Sequence, residues 1–408
     1  MVTDIGTFGA NSDATATRQS WVIDTLVFVA AGLYSIFAES MPEPIQVAIA
    51  GVVSLWLILA ACLPIVRQGM VYLDIRSFAL ILSICSMLVT YTFLVSINTP
   101  LNDYALTILR VMTGISALVY FMRYEGTILA GAKIAIYVTV SIVAVATTAL
   151  YGLYDYAGVL RPYPFAGVDA IHSSAYIVSG ALVGVVLMRL RREVGALTAW
   201  LVGLPLFGLF IAYQVRTTWV MLLVFSAVLL VQAIRRRTTH RLFASAVGLG
   251  FATSVLVLLA LVFLFIPNFD LVEFSSGRTS TYAERFSMLA ERSSSQWLFG
   301  TGLGSDMFFS TSWWWEAKDS HNDFLNVVIE QGLVGLFVIL LTFGWSLRHA
   351  NNLQAAVLVA FISGSAISNA LLVRPMLAVL FLAAIVPSPS SKVAQQDSSF
   401  DRPASRRL

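Results

Sequence analysis

Apolar runs of about 18–25 residues recur from Trp21 to Val386, the length a helix needs to cross the hydrocarbon core of a bilayer. Backbone groups in lipid must bond within their own segment, so these runs are read as helices. The expected spans are Trp21–Ala38, Ile45–Val66, Ser77–Ile97, Tyr104–Met122, Ile128–Gly152, His172–Leu190, Ala196–Tyr213, Arg216–Ile234, Leu242–Ile266, Leu325–Leu347, Leu353–Val373 and Met376–Val386. The reading is an all-α polytopic membrane protein of about 12 transmembrane helices, the last of them short.

Composition agrees: 58% of residues are hydrophobic and 12% charged, where a soluble domain carries about 25% charge. The distribution of basic residues sets the expected orientation. With the N-terminus inside, 16 of the 25 Lys and Arg fall in inside segments and 7 outside, while Arg110 and Lys133 lie within spans. An even number of spans puts both termini in the cytoplasm. Cys62 and Cys85 sit in apolar runs and imply no disulfide framework. Met1–Ser20 lacks the pattern of a signal peptide, so it is read as a cytoplasmic segment and the first span as its own insertion signal. Residues 387–408 are rich in Ser, Pro and Gln and read as a disordered cytoplasmic tail. No internal repeat stands out, which weakens a transporter built on repeated halves.

The polar stretch 267–324 then becomes one large external segment between spans one to nine and ten to twelve. A long insert that buries no lipid-facing surface is usually functional. Arg278 to Arg292 reads as a short amphipathic helix on the membrane surface, with Tyr282, Phe286 and Leu289 on one face and Glu284, Arg285 and Glu291 elsewhere. Gly300, Gly302 and Gly304 interrupt regular structure, and Trp313, Trp314 and Trp315 suit the headgroup level.

Of the four histidines, His240 and His349 lie in inside loops beside arginines and read as surface charge; His172 and His321 stand outside, each at the entrance to a span. His321, flanked by Asp319, Asn322 and Asp323, has three readings. His321 or Asn322 can cap the following helix. His321 can join the aspartates in a metal site, although the spacing is no recognised ligand pattern. Or its neutral imidazole can take a proton from a sugar hydroxyl, oriented by a nearby carboxylate. Arg216 and Arg278 are each either an interfacial anchor or a guanidinium fork for phosphate oxygens. Arg110, about two turns inside the fourth span, is a functional candidate because charge there is costly. Arg161 and Arg374 lie near the same face. Together these groups suit a substrate with an anionic head and a lipid tail. A polyprenyl-diphosphate-linked sugar carries its own activation, and arginines can stabilise the diphosphate as it leaves.

Four elements of the second half follow in a set order. Arg216-Thr217-Thr218 opens a span, and Ser276-Gly277-Arg278-Thr279 precedes an aromatic-containing helix. Gly300, Gly302 and Gly304 form a Gly-x-Gly-x-Gly turn, and His321-Asn322 is followed by Glu330-Gln331-Gly332. In this order on a twelve-span frame they resemble the O-antigen ligase and polymerase superfamily of bacterial membrane glycosyltransferases. The stretch from Phe165 to Ala175 is similar to a family segment that usually carries Asn-Pro-Asn; here His172 stands near that place.

The resemblance implies an inverting, metal-independent transferase without cofactor, in the bacterial inner membrane with its site on the periplasmic side. It would pass a glycan from undecaprenyl diphosphate to a sugar hydroxyl of lipid A-core, completing lipopolysaccharide; nucleic acid is no partner. His321 would be the base, and Arg216 and Arg278 would hold the diphosphate. Arg161, Arg110, Asn322, His172 and Trp219 complete the substrate-binding candidates. The alternative within the superfamily is a polymerase of undecaprenyl-linked repeat units. Outside it stands a lipid-linked glycan flippase or transporter.

Overall fold

The computed structural model describes residues 8–37, 40–67, 113–118, 120–121, 128–156, 158–166, 171–235, 278–302, 304–307, 319–368 and 374–388. The expected spans Ser77–Ile97 and Leu242–Ile266, most of Tyr104–Met122, Arg110 and the tryptophan run lie outside them. The protein is a mostly helical membrane protein. Its chain forms α1 (Phe8–Phe37), α2 (Glu43–Arg67), α3 (Ala130–Tyr151), β1 (Leu153–Tyr156), β2 (Val159–Pro162), α4 (Ile171–Leu190), α5 (Ala196–Tyr213), α6 (Arg216–Arg235), α7 (Arg278–Ala290), α8 (Ser294–Phe299), α9 (Asp323–His349), α10 (Asn352–Ile367) and α11 (Pro375–Ala383).

Four helices among the described residues are long and apolar enough to cross a membrane: α3, α4, α5 and α9 up to Arg348. Shorter apolar helices cover Val22–Phe37, Pro44–Leu59, Arg216–Gln232 and Asn352–Ile367. Three features add detail to the expected frame. Beside the helices, β1 and β2 pair as a short antiparallel hairpin with Leu153 opposite Pro162 and Tyr156 opposite Val159. Helix α1 reaches back to Phe8, so most of the polar start is helical too. And α11 has nine residues, about 13 Å of helix, under half the bilayer core.

The chain divides into two compact units. The first comprises Met1–Trp56, Arg123–Val215 and Val379–Leu408. Helix α4 is its centre, buried along most of its length. Small residues make that possible. A Cβ on Gly184 would come 2.1 Å from the Tyr137 hydroxyl, and one on Gly180 would come 3.2 Å from the Phe381 ring, so α3 and the C-terminal segment pack directly on the α4 backbone. The end of the chain is held by charge. Lys133 and Arg191 donate to the carbonyls that close α11 and the turn after it: Val386 from both, Ala384 and Ile385 from Arg191 alone. Cations at a helix C-terminus satisfy carbonyls that the helix itself leaves open. Glu193 completes the clasp, 3.6 Å from the Lys133 Nζ and accepting the Ser388 N–H at 2.9 Å.

The second unit comprises Leu57–Met122 and Arg216–Ala378. Helices α6 and α10 pack antiparallel. Gln232 Nε2 donates to the Asn352 carbonyl at 2.9 Å, joining the end of one to the start of the other. A Cβ on Gly364 would meet Met221 Sδ at 2.6 Å, so the two backbones are close near the opposite end as well. Helix α9 is two helices. Gly332 breaks it with φ +67° and ψ −166°, leaving Asp323–Gln331 as a short helix before the apolar stretch from Leu333.

Candidate active site

Asn322 decides where α9 begins. Its side-chain oxygen accepts the N–H groups of Phe324 and Leu325, both at 3.0 Å, as an N-cap should. Its amide nitrogen donates to the Ala366 carbonyl at 2.6 Å, tethering the start of α9 to the end of α10. The capping alternative raised for the His-Asn pair therefore falls to Asn322, and both ends of its amide are engaged with protein.

His321 stands just before this cap, about one-third exposed, with a backbone φ of +49°. That left-handed conformation is uncommon outside glycine and is held by its surroundings. Asp319 Oδ1 accepts the His321 backbone N–H at 3.0 Å and lies 2.7 Å from Nδ1. A neutral ring therefore carries its proton on Nδ1, which leaves the lone pair on Nε2. Sequence alone could not choose between Asp319 and Asp323. Asp323 is buried in the first turn of α9, and Asp319 is the orienting carboxylate.

The glycine turn docks on the break in α9. Gly300, Gly302 and Gly304 all have positive φ. Thr301 and Gly302 donate their N–H groups to the carbonyls of Ile329 and Glu330, each at 3.0 Å, closing the short helix where Gly332 ends it. Glu330 Oε1 accepts the Gly304 N–H at 2.9 Å. A Cβ on Gly300 would stand 2.3 Å from the Glu330 carbonyl carbon and oxygen, so only glycine permits this approach. Arg292 spans the same junction, donating to the Val328 carbonyl at 3.2 Å and the Thr301 hydroxyl at 2.7 Å. Burial draws its guanidinium below the ordinary pKa, opposed by the charge of Asp306.

Helix α7 corrects the amphipathic expectation. Arg285, expected away from the Tyr282, Phe286 and Leu289 face, is fully buried, whereas Phe286, expected on that face, is 61% exposed. The packed face runs through Thr281, Tyr282, Arg285 and Leu289, with Leu289 and Tyr282 against Leu325 and Ile329 of α9. Arg285 is buried because it has a partner: its Nε donates to Asp306 Oδ1 and its Nη2 to the Asp306 carbonyl, both at 3.0 Å. Asp306 Oδ2 accepts the Ser320 N–H at 2.7 Å and the Asn326 side-chain amide at 3.2 Å. Sequence reasoning missed Asp306 and Asn326 as members of the site, and held Asp319 only as one of two flanking carboxylates.

The remaining candidates distribute as follows. Arg216 opens α6 and is exposed, with Trp219 half-buried one turn on. Because α6 and α10 run antiparallel and Asn322 binds Ala366, Arg216 and His321 belong to the same end of that helix pair. Arg278 is the first residue of α7, one turn before Tyr282. Arg161 and His172 belong to the first unit. Arg161 pairs with Tyr154 in the hairpin. His172 stands in the first turn of α4, where the Ser174 hydroxyl accepts the N–H groups of Phe165 and Ala166, both at 3.1 Å. Among the described residues no group of three or more His, Cys, Asp or Glu side chains forms a metal-holding cluster. No family model, no curated protein and no solved structure matches the chain.

Proposed function

We propose that this protein is a membrane glycosyltransferase of the O-antigen ligase kind, taking a glycan from undecaprenyl diphosphate to a sugar hydroxyl of lipid A-core at the periplasmic face of the inner membrane. The observation that carries this reading is the Asp319–His321 pair at the head of an apolar helix: an imidazole with Nδ1 held at 2.7 Å by a carboxylate and Nε2 as the basic nitrogen. Such a group, partly exposed at the mouth of a span, suits proton abstraction from a hydroxyl.

In the proposed step the acceptor oxygen forms the new bond to the anomeric carbon, with inversion, as the bond from that carbon to the diphosphate oxygen breaks. The hydroxyl proton passes to His321 Nε2. The diphosphate leaves as an anion, steadied by the guanidiniums of Arg216 and Arg278. Arg216 also stands at a helix N-terminus, where the macrodipole favours negative charge. Against transport through mid-membrane speaks Lys133, an intramembrane cation that is fully buried against Glu193 and the Val386 carbonyl.

The test uses purified protein and an undecaprenyl-diphosphate-linked glycan, offered lipid A-core in one tube and only further donor in another, with products sized on a gel. Glycan on lipid A-core alone, absent with His321→Ala, is the expected result. Chains lengthening on the undecaprenyl carrier would make the protein a polymerase instead. Product in neither tube from well-folded protein would overturn the transferase reading and call for a flux assay.

A further inference from the structure

Asp306 has no place in the chemistry above, yet it is fully buried and its carboxylate joins four parts of the second unit. Arg285 brings α7, Asn326 brings α9, Asp306 itself belongs to the glycine turn, and the fourth part is the corner before α9, joined through the N–H of Ser320, one residue before His321. The corner at Ser320–His321 needs such a hold. His321 lies at φ +49°, a conformation an L-residue leaves unless its neighbours are fixed. Asn322 fixes the side after the histidine, through the helix cap and Ala366. Asp306 fixes the side before it.

We propose that Asp306, itself gripped by Arg285, is a positioning residue that sets the tautomer and aim of His321 through the Ser320 backbone. The inference rests on the reading of His321 as the base, but its physical content is independent of the substrate. An uncharged amide at position 306 cannot accept from Arg285, Ser320 and Asn326 together. One of its two heads becomes a donor facing a donor, and the corner loosens. Asp319 moves with that corner and with it the 2.7 Å contact to Nδ1.

The experiment is nitrogen-15 NMR of histidine-labelled protein in detergent, comparing the parent with Asp306→Asn and assigning His321 by His321→Gln among the four histidines. The parent is expected to show one tautomer with the proton on Nδ1, and Asp306→Asn a mixture. In the transfer assay Asp306→Asn should lower kcat by about 10- to 100-fold, the scale of an ångström-level misplacement, with KM for donor nearly unchanged. Lys133→Met, which breaks the clasp of the first unit and touches neither Asp306 nor residues 319–326, should lower the melting temperature and leave the His321 tautomer alone. If Asp306→Asn does not fold, Asn326→Ala removes a single bond to the same carboxylate and must give the same tautomer change in smaller measure. An unchanged tautomer in the folded variant overturns the proposal, as does an equal change from Lys133→Met. A parent protein without transferase activity would sink the functional reading alone, since the tautomer still reports on Asp306.

Discussion

Gly332→Ala tests the architecture of the site without reference to its chemistry. At φ +67° and ψ −166° Gly332 occupies a region essentially closed to residues with a side chain, at a cost of about 1–3 kcal/mol. The added Cβ would also meet the Leu298 carbonyl carbon and oxygen at 2.4 Å and the Gly300 nitrogen at 2.5 Å. Backbone must retreat, and the bonds at stake are Thr301 N–H to Ile329 and Gly302 N–H to Glu330. Two such bonds contribute about 1–3 kcal/mol together, so the expected loss is about 2–6 kcal/mol. At about 2 °C or less per kcal/mol for a chain of this size, the melting midpoint should fall by several degrees. Gly344→Ala is the control: it lies in the same helix with nothing within 4 Å of its Cβ position. Alanine there should be neutral or slightly stabilising. The assay is thermal unfolding in detergent, followed by size-exclusion of the folded fraction. Equal midpoints for Gly332→Ala and Gly344→Ala would refute the broken helix and the docking of the glycine turn upon it.

Three further outcomes are expected. If Arg216 makes a two-pronged contact with diphosphate, Arg216→Lys should lose transfer by about 10- to 100-fold, nearly as much as Arg216→Ala, because each charged hydrogen bond contributes about 1.5–3 kcal/mol; a fully active lysine variant would reduce the arginine to an interfacial anchor. Lys133→Met leaves Glu193 buried beside Arg191 alone, at 3.9 Å, and should destabilise by about 3–5 kcal/mol. Lys133→Met with Glu193→Gln should recover part of that loss, and a double variant no better than the single one would show that the clasp is not ionic. Cysteine at Phe286, introduced after removal of Cys62 and Cys85, should react in intact inner-membrane vesicles or cells with a membrane-impermeant maleimide applied on the periplasmic side; no reaction there, with reaction from the opposite face, would invert the proposed orientation.

Much of this was legible in the residues. Ala196–Tyr213 was expected and found with the same bounds, since an apolar run between polar breaks leaves little freedom. The His-Asn pair at the mouth of a span and the glycine turn were also visible, because a helix cap and a positive φ each demand particular residues. The burial of Arg285 was not. Helical periodicity assigns a charged side chain to solvent unless its partner is known, and Asp306 lies 21 residues downstream across the glycine turn. The choice of Asp319 over Asp323 was equally hidden. Both lie two residues from His321, and only the left-handed turn at the histidine decides which carboxylate meets the ring. The surroundings of the last expected span were hidden for another reason. A hydrophobic run shows that a segment is buried but not by what, and Val379–Val386 is buried in protein.

The break at Gly332 also divides α9 chemically. Before it, Asp323, Asn326 and Glu330 are all buried polar residues, and the last two bond to the glycine turn through Asp306 and Gly304. After it, no charged residue occurs until Arg348. Polar groups of that kind are costly in hydrocarbon, which predicts that the bilayer core ends close to Gly332. The apolar half, Leu333 to Arg348, is about 24 Å long, enough to reach most of the way across with Arg348 extending to the far interface. On that prediction the short half belongs to the polar layer, with His321 just before its N-cap. Cysteine scanning decides this. Phe337 and Leu340 are 52% and 51% exposed in the protein yet should resist a water-soluble maleimide, because what covers them is lipid. Labelling of either at the rate of a cysteine at Phe286 would place the boundary elsewhere and break the link between the Gly332 kink and the edge of the bilayer core.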